Sequence, residues 1–176
     1  EWWMKKTAFD TSFTDKEVIL DIWNRETDAA TYGRIVIEMD RTQSSAFRFT
    51  YMSGSSAGDG VDQVALTDAW GESDIADGEW HYYAVSAMPY LDGVQAKLNV
   101  KFYKDGVVFK ESVHNTNAVL GDIGFRPEAY IGALRTAQNG GLGAQYAGKL
   151  SASLDEVRFW KKRIDSRQIY NNWFHP

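Results

Sequence analysis

The chain has 176 residues, a length that suits one domain with a single buried core. Hydrophobic residues make up 44% and aromatic residues 14%, which excludes a disordered chain and favours the half-buried surfaces of sheets. The net charge is −5 without a basic stripe, which gives a nucleic-acid partner no electrostatic support, and no apolar run approaches the length of a membrane span.

The first third of the chain predicts three strands, at 18–23, 34–39 and 47–51. Both alternating faces of the first strand are largely apolar, which is typical of a strand in the inner part of a sandwich. In the third strand, Phe47, Phe49 and Tyr51 share a face that is expected to point inward. A stretch rich in Gly and Ser at 53–60 predicts a loop, and a further short strand is expected at 61–66.

The segment 76–86 predicts an Asp-Gly turn that leads into a strand expected to run from Trp80 to Ala87. Pro89 is expected to end this strand because proline cannot donate a hydrogen bond to a neighbouring strand. After a connection, a strand is predicted at 97–103. The dipeptide Asp105-Gly106 that follows suits a two-residue hairpin turn, in which Gly accepts a positive φ.

Beyond the hairpin, the pattern predicts a short strand at 130–134 and a Gly-rich loop at 138–143. Apolar residues of the next segment occupy even positions up to Leu154 and odd positions from Val157. A regular strand cannot bury both sets on one face, so we expect a bulge or a change of direction near Asp155-Glu156.

One short helix is predicted at the C-terminal end. Asp165 suits the N-cap, and Gln168 lies three residues later at the spacing of a capping box. Ile164 and Ile169 have the spacing of a hydrophobic staple. Ile169 and Trp173 share a helix face, which we expect to pack against the edge of a sandwich.

Four segments carry a resemblance to a known family: the Asp-Gly-x-Trp-His strand at 77–81, the hairpin at 102–109, Tyr-Ile-Gly-Ala at 130–133, and 148–160 with its Leu-Asp-Glu-Val-Arg-Phe-Trp run. Together they resemble the laminin-G-like, or concanavalin A-like, family of lectin, adhesion and glucanase domains. With the strand pattern, this implies an all-β, two-sheet antiparallel jelly-roll sandwich with one short C-terminal helix. One such domain is expected over residues 1–176, cut from a larger protein. The strand with which this family usually begins is represented here only by Glu1 to Lys6.

The resemblance points to binding, and glycan binding needs exposed aromatic faces with polar groups that fix orientation. Trp70, Tyr90 and Tyr146 lie in loop-like contexts and are the candidate ligand-binding residues, although each also suits a loop anchor packed at the edge of the core. Trp80 and Trp160 are expected to be less exposed, with Trp80 packed in the core between the sheets.

Asp155 is the candidate metal ligand. In related jelly rolls, an Asp in this segment often helps to bind a structural Ca²⁺, which needs six to eight oxygen ligands in all. The alternative is an Asp that accepts backbone hydrogen bonds at the bulge. No other cofactor is expected. The three His residues, His81, His114 and His175, lie far apart in sequence, and His81 is expected to be a packed or surface strand residue.

The sequence Glu38-Met-Asp40-Arg-Thr-Gln43 resembles the E-x-D-x-x-E signature of retaining glucanases that share the jelly roll. Period-two geometry places Glu38 and Asp40 on one face, as a nucleophile and an acid/base pair require. Gln43 cannot exchange a proton, however, and the alternative is a strand end with solvated charges. We therefore assign no catalytic residue.

We expect a non-catalytic, lectin-like binding or adhesion module that recognises a glycan through loops on a rigid sandwich. One alternative is a purely structural decoration or spacer domain that binds neighbouring protein subunits; another is an active or degenerate β-glucanase. The chain has no Cys and no Asn-x-Ser/Thr site, and with its Val-Arg-Phe-Trp-Lys-Lys run at 157–162 it looks like modules of bacterial and phage structural proteins. The expected location is therefore extracellular, on the cell surface or in a virion, without insertion into a membrane.

Overall fold

The computed structural model describes residues 1–10, 16–26, 31–42, 46–53, 62–65, 71–115, 127–135, 148–160 and 162–174. Within these ranges the elements in chain order are β1 (Trp2–Lys5), β2 (Lys16–Trp23), β3 (Gly33–Asp40), β4 (Phe47–Ser53), β5 (Asp62–Ala65), α1 (Glu72–Ile75), β6 (Trp80–Asp92), β7 (Gln95–Lys104), β8 (Val107–Asn115), β9 (Glu128–Ile131), β10 (Ser153–Asp155) and α2 (Ser166–Phe174). The predicted Trp70, Tyr146 and Gln43 lie outside the described residues.

The strands form two five-stranded sheets. The first sheet has the order β10-β1-β6-β7-β8, and the second has the order β5-β4-β3-β2-β9. All strand pairs are antiparallel. The prediction of an all-β, two-sheet sandwich with one short C-terminal helix is confirmed, and the single turn α1 is added to it.

The main core lies between the facing surfaces of the two sheets. The first sheet contributes alternate residues such as Trp2, Met4 and Tyr83. The second sheet contributes Phe47 and Phe49 among others, and Tyr51 follows at the same parity. These three aromatic residues of β4 are 2–3% exposed, so their predicted inward orientation is confirmed. Burying large apolar side chains of this kind supplies most of the favourable free energy of folding.

The outer face of the second sheet is also buried. Asp21 on β2 and Arg34, Val36 and Thr50 on the neighbouring strands are fully inaccessible to solvent. The apolar residues on both faces of the predicted strand 18–23 therefore correctly indicated a strand covered on two sides. On this outer face Arg34 donates two hydrogen bonds of 2.6 Å to the two carboxylate oxygens of Asp21.

Strand β6 continues to Asp92, so the expectation that Pro89 ends it is wrong. Strand β7 pairs with β6 from Tyr83 to Asp92, whereas β1 pairs with it only from Trp80 to Tyr83. Pro89 therefore lies where β6 has an assigned partner strand on one side only, and a missing N–H is tolerated at such an edge.

The chain changes direction at the predicted position after β10. Strand β10 ends at Asp155, and Glu156 has a φ of 48°, a left-handed conformation that few residues other than Gly adopt. Leu154 packs against the core, but Val157 and Phe159 after the bend are 41% and 67% exposed. The second apolar set is thus separated from the core by the bend.

Helix α2 begins as the sequence predicts. The N–H of Gln168 donates to Oδ1 of Asp165 at 2.8 Å, which caps the helix. Ile164 and Ile169 are both buried in one cluster with Tyr82, so the predicted staple pair is confirmed in its burial. This cluster lies on the outer face of the first sheet, so the helix packs on that face and not on the edge of the sandwich.

Gly106 allows this close approach of helix and sheet. Its φ is 76°, and a Cβ at this position would lie 2.8 Å from Cε3 of Trp173. The Asp105-Gly106 turn therefore forms a tight hairpin and also accommodates α2.

Candidate functional site

The candidate site is a shallow groove of about 320 Å³ on the outer face of the first sheet, lined by Trp3, Trp80, Asp155 and Glu156. We call it the tryptophan groove. Alternation along the strands brings these side chains together: Trp2 and Met4 of β1 point into the core, so Trp3 points outward.

The register of three strands completes the groove. Trp3 lies opposite Asp155 of β10 on one side and opposite Tyr82 of β6 on the other. Trp80 lies opposite Lys5, two residues along β1 from Trp3 on the same face. Residues from three distant parts of the sequence thus meet on the outer face.

The exposure of these residues suits a binding surface. Trp80 is 43% exposed, Trp3 is half-buried, and both acidic side chains are exposed. Asp155 Oδ1 accepts the N–H of Glu156 at 2.8 Å, and Glu156 Oε2 accepts from Arg158 at 2.5 Å. The groove therefore combines indole faces with carboxylate oxygens that are held by local hydrogen bonds yet face solvent.

The expectation that Trp80 packs in the core between the sheets is wrong. Trp80 has the parity of Tyr82, which points outward, whereas Tyr83 points into the core. Helix α2 covers the outer face at Tyr82. Trp160 is also exposed, at 40%, against the expectation that it is less exposed than Tyr90, which is 36% exposed.

The structure does not bring Tyr90 to the tryptophan groove. Tyr90 lies on β6 ten residues beyond Trp80, a separation of about 30 Å along an extended strand. Together with Leu91 and Val94 it forms an exposed apolar tip of the hairpin made by β6 and β7. Because Tyr90 is in a strand and not in a loop, its predicted loop context is also wrong.

His81 joins the two Asp-Gly turns at the beginning of β6. Its Nε2 lies 2.8 Å from Oδ2 of Asp77, and its Nδ1 lies 2.7 Å from Oδ2 of Asp105. Both ring nitrogens donate only when the imidazole is protonated. Asp105 also accepts the N–H of Tyr82 at 3.0 Å. These bonds hold the beginning of β6, and with it Trp80, against the hairpin turn.

The Asp77 carboxyl is stabilised in its charged form. Desolvation raises its pKa, but hydrogen bonds from the N–H of Glu79 and from His81 outweigh it, so the pKa lies below the ordinary 3.8. A lowered pKa stabilises the folded state above the ordinary pKa of Asp, and this stabilisation is lost as the pH falls through the folded-state pKa.

Replacing His81 with Ala is expected to lower the free energy of unfolding by about 1–2 kcal/mol near neutral pH, because the carboxylates of Asp77 and Asp105 each lose a hydrogen-bond partner. The difference from the parent should shrink as the pH falls below 3.8, the ordinary pKa of Asp, because Asp77 gains a proton as the pH falls through its lower folded-state pKa. Urea unfolding at both pH values measures this, with Val94→Ala as a control at a fully exposed position. A difference that does not change with pH would contradict this account of the Asp77–His81 pair.

The carboxylates of the glucanase-like signature lie on the outer face of the second sheet, away from the tryptophan groove. Glu38 is 1% exposed and its Oε1 lies 2.8 Å from Nζ of Lys16. Asp40 is 5% exposed, accepts from the Thr42 hydroxyl at 2.6 Å and lies 3.8 Å from Arg48. The alternative of solvated charges at a strand end is therefore wrong, because burial and ion pairing hold both groups.

Calcium binding by Asp155 stays a prediction. Asp155 does accept a backbone hydrogen bond at the bend, as the alternative expected. Within the ranges that the structure describes, no group of three or more His, Cys, Asp and Glu side chains could hold a metal ion. No helix of that part of the chain has the length and apolar character to cross a membrane.

No protein-family model matches this chain, and no curated protein matches it. Among solved structures, the chain is similar to residues 221–444 of an S-layer domain-containing protein from Clostridium thermocellum, with 19% identity and a TM-score of 0.36. The match covers 94% of this chain and 66% of that one, so the chain spans less than two thirds of its length. A likeness at this level carries no argument about function.

Proposed function

We propose that this chain is a non-catalytic, lectin-like binding module that recognises a glycan in the tryptophan groove. The observation that carries the proposal is the juxtaposition of Trp3 and Trp80 with the exposed carboxylates of Asp155 and Glu156. The module belongs to the laminin-G-like, or concanavalin A-like, domains and acts within a larger protein at a cell surface, outside the cell or in a virion.

The chemistry of the groove supports a polyhydroxylated ligand. An indole face offers a large apolar surface with an electron-rich π-system, against which the C–H face of a sugar ring packs. A carboxylate offers up to four acceptor sites and so receives hydrogen bonds from neighbouring sugar hydroxyls. An apolar surface with a few fixed polar groups is the usual composition of a site that binds one orientation of a ligand.

The state of Glu38 and Asp40 supports binding over glycoside hydrolysis. A retaining mechanism needs one carboxylate to attack the sugar and the other to donate and accept a proton. Glu38 is held by Lys16, and Asp40 is held by Thr42 and lies near Arg48, so neither is presented to solvent. The parent protein should therefore release no reducing sugar from β-glucans to which it binds.

Replacing Trp80 with Ala should weaken glycan binding at least tenfold, because central Trp residues contribute most to such sites. Replacing Asp155 with Asn should weaken it several-fold through loss of charge-assisted hydrogen bonds. A glycan array selects the ligand, and calorimetry measures the affinities. Trp160→Ala is the matched control, because Trp160 is 40% exposed but does not line the groove.

Equal affinity of the parent and Trp80→Ala would contradict the proposed site, and absence of any glycan binding at millimolar concentration would contradict the proposed function.

The second candidate function is that of a structural module that binds protein subunits. The apolar hairpin tip formed by Tyr90, Leu91 and Val94 favours it. Retention of the parent by a neighbouring subunit, lost on Leu91→Ser, together with no sugar binding would support that candidate.

A further inference from the structure

A second cavity of about 240 Å³ lies away from the tryptophan groove, where the sandwich opens between its sheets. Protein interiors seldom contain voids larger than a water molecule, and an engineered apolar cavity of about 150 Å³ already binds benzene. We call this space the inter-sheet cavity. Its size therefore suggests a ligand.

The apolar part of the inter-sheet cavity is formed mainly by inward-facing residues of both sheets, and Ile164 and Ile169 of the cluster around Tyr82 complete it. The inward-facing residues include Leu20, Ile35 and Phe49 of the second sheet and Val85 of the first. Leu20, Ile35 and Val85 are only partly buried, although Ile35 and Val85 have the parity of core residues. This partial exposure shows that the space between the sheets reaches solvent.

The inter-sheet cavity opens to solvent because β1 pairs with only a short part of β6. Strand β1 covers β6 only from Trp80 to Tyr83, and the lining of the cavity includes the next four residues, 84–87. The bend at Glu156 then leads the chain through 157–160 along this opening. The two features leave a gap beside β6 that no side chain of the lining fills.

The mouth of the inter-sheet cavity is positively charged. Lys162 and Arg163 belong to its lining and are exposed, whereas the guanidinium of Arg158, also in the lining, is paired with Glu1 at 3.5 Å and with Glu156 at 2.5 Å. The carboxylate in the lining, Glu1, is 1% exposed and accepts hydrogen bonds from Tyr82 and Asn172. The charge at the mouth therefore favours an anionic head group.

A buried donor adds a second, independent indication. Trp2 lines the inter-sheet cavity and is 3% exposed, and its Nε1–H has no hydrogen-bond partner among the described residues. A buried donor without a partner is costly, so such groups usually signal a missing acceptor. An oxygen of a bound ligand is a suitable acceptor.

We propose that the inter-sheet cavity binds a free medium-chain fatty acid. The aliphatic chain lies between the sheets against Leu20, Ile35 and Val85, and the carboxylate lies towards the basic mouth. This site is separate from the tryptophan groove, because the lining of the cavity and the lining of the groove have no residue in common. Either proposal can therefore fail without the other.

Calorimetric titration of the parent protein with octanoate, decanoate and dodecanoate, and with the matching alcohols, tests the proposal. We expect the affinity to rise about fourfold for each added methylene group until the cavity is full. The carboxylate should bind at least fivefold tighter than the alcohol of equal length. No binding of any carboxylate below its micelle concentration would overturn the proposal.

Variants locate the site. Val85→Phe fills the cavity and should lower the affinity at least tenfold, whereas Val113→Phe, the same change on the exposed surface of β8, should leave it unchanged. Because Val85→Phe also changes the packing around the cavity, Trp2→Phe serves as a conservative second variant, and we expect a several-fold loss of affinity from removal of one donor. Unchanged affinity in both cavity variants would overturn the proposal.

The charge at the mouth is tested by the double variant Lys162→Glu, Arg163→Glu. It should abolish the preference for carboxylate over alcohol, whereas Lys110→Glu on β8 should preserve it. A preference that survives the double variant would show that the mouth does not recognise the head group.

Discussion

Replacing Arg34 with Met is expected to lower the free energy of unfolding by about 3–5 kcal/mol. Arg34 and Asp21 have fully buried side chains and form two hydrogen bonds of 2.6 Å. Desolvation alone would lower the pKa of Arg34, but the hydrogen bonds and charge of Asp21 raise it. Removing Arg34 leaves the Asp21 carboxylate buried without its positive partner, which is the reason for the large effect.

The surroundings of Asp21 extend this effect beyond one pair. Asp21 Oδ2 also accepts the N–H of Arg135 at 3.0 Å, and Arg34 donates to the Tyr32 hydroxyl at 3.2 Å. The pair therefore joins β2 and β3 to the segment that follows β9. Urea unfolding measures the change, and Arg25→Met is the matched control, because Arg25 is 63% exposed in a surface ion pair. Equal effects of the two substitutions would contradict the account.

Replacing Lys6 with Met is expected to cost a similar amount, about 3–5 kcal/mol. Lys6 Nζ lies 2.8 and 2.7 Å from the two carboxylate oxygens of Glu17 and 2.9 Å from the carbonyl oxygen of Ser151. Glu17 in turn accepts the N–H groups of Asp10 and Ser151. Without Lys6, the buried carboxylate of Glu17 would keep its two backbone N–H donors but lose its positively charged partner.

The double variant Lys6→Met, Glu17→Leu separates the pair from its surroundings. It should be more stable than Lys6→Met alone if the unpaired charge causes most of the loss. Lys101→Met is the control in a partly exposed ion pair with Glu111, where we expect a change of less than about 1 kcal/mol. A double variant less stable than the single one would contradict this explanation.

Local sequence patterns predicted the parts of the fold that depend on residues close together in the sequence. Alternation identified the inward face of β4 at Phe47, and the Asp165 cap identified the beginning of α2. The continuation of β6 through Pro89 was not predictable in this way, because it depends on where β1 ends beside it. Burial of Glu38 likewise depends on Lys16 of a neighbouring strand.

The candidate site was predictable only in part. Asp155 was selected from the sequence, but for a metal and not for the groove in which it lies. Alternation places Trp80 and Tyr82 on the same face of β6 but does not show which of them is covered. Helix α2 covers Tyr82 and leaves Trp80 exposed, and this depends on packing that the local pattern does not contain. Trp3 could not be assigned to the site, because its partners come from β6 and β10 through the register of the sheet.

The glycan site is tested most directly by nuclear magnetic resonance of the indole N–H groups during titration with the glycan that the array selects. The signals of Trp3 and Trp80 should shift with the ligand, whereas those of the buried Trp2 and Trp23 should not. Asp155→Asn should weaken the shifts in parallel with the calorimetric affinity. Shifts confined to residues outside the tryptophan groove would contradict the central claim.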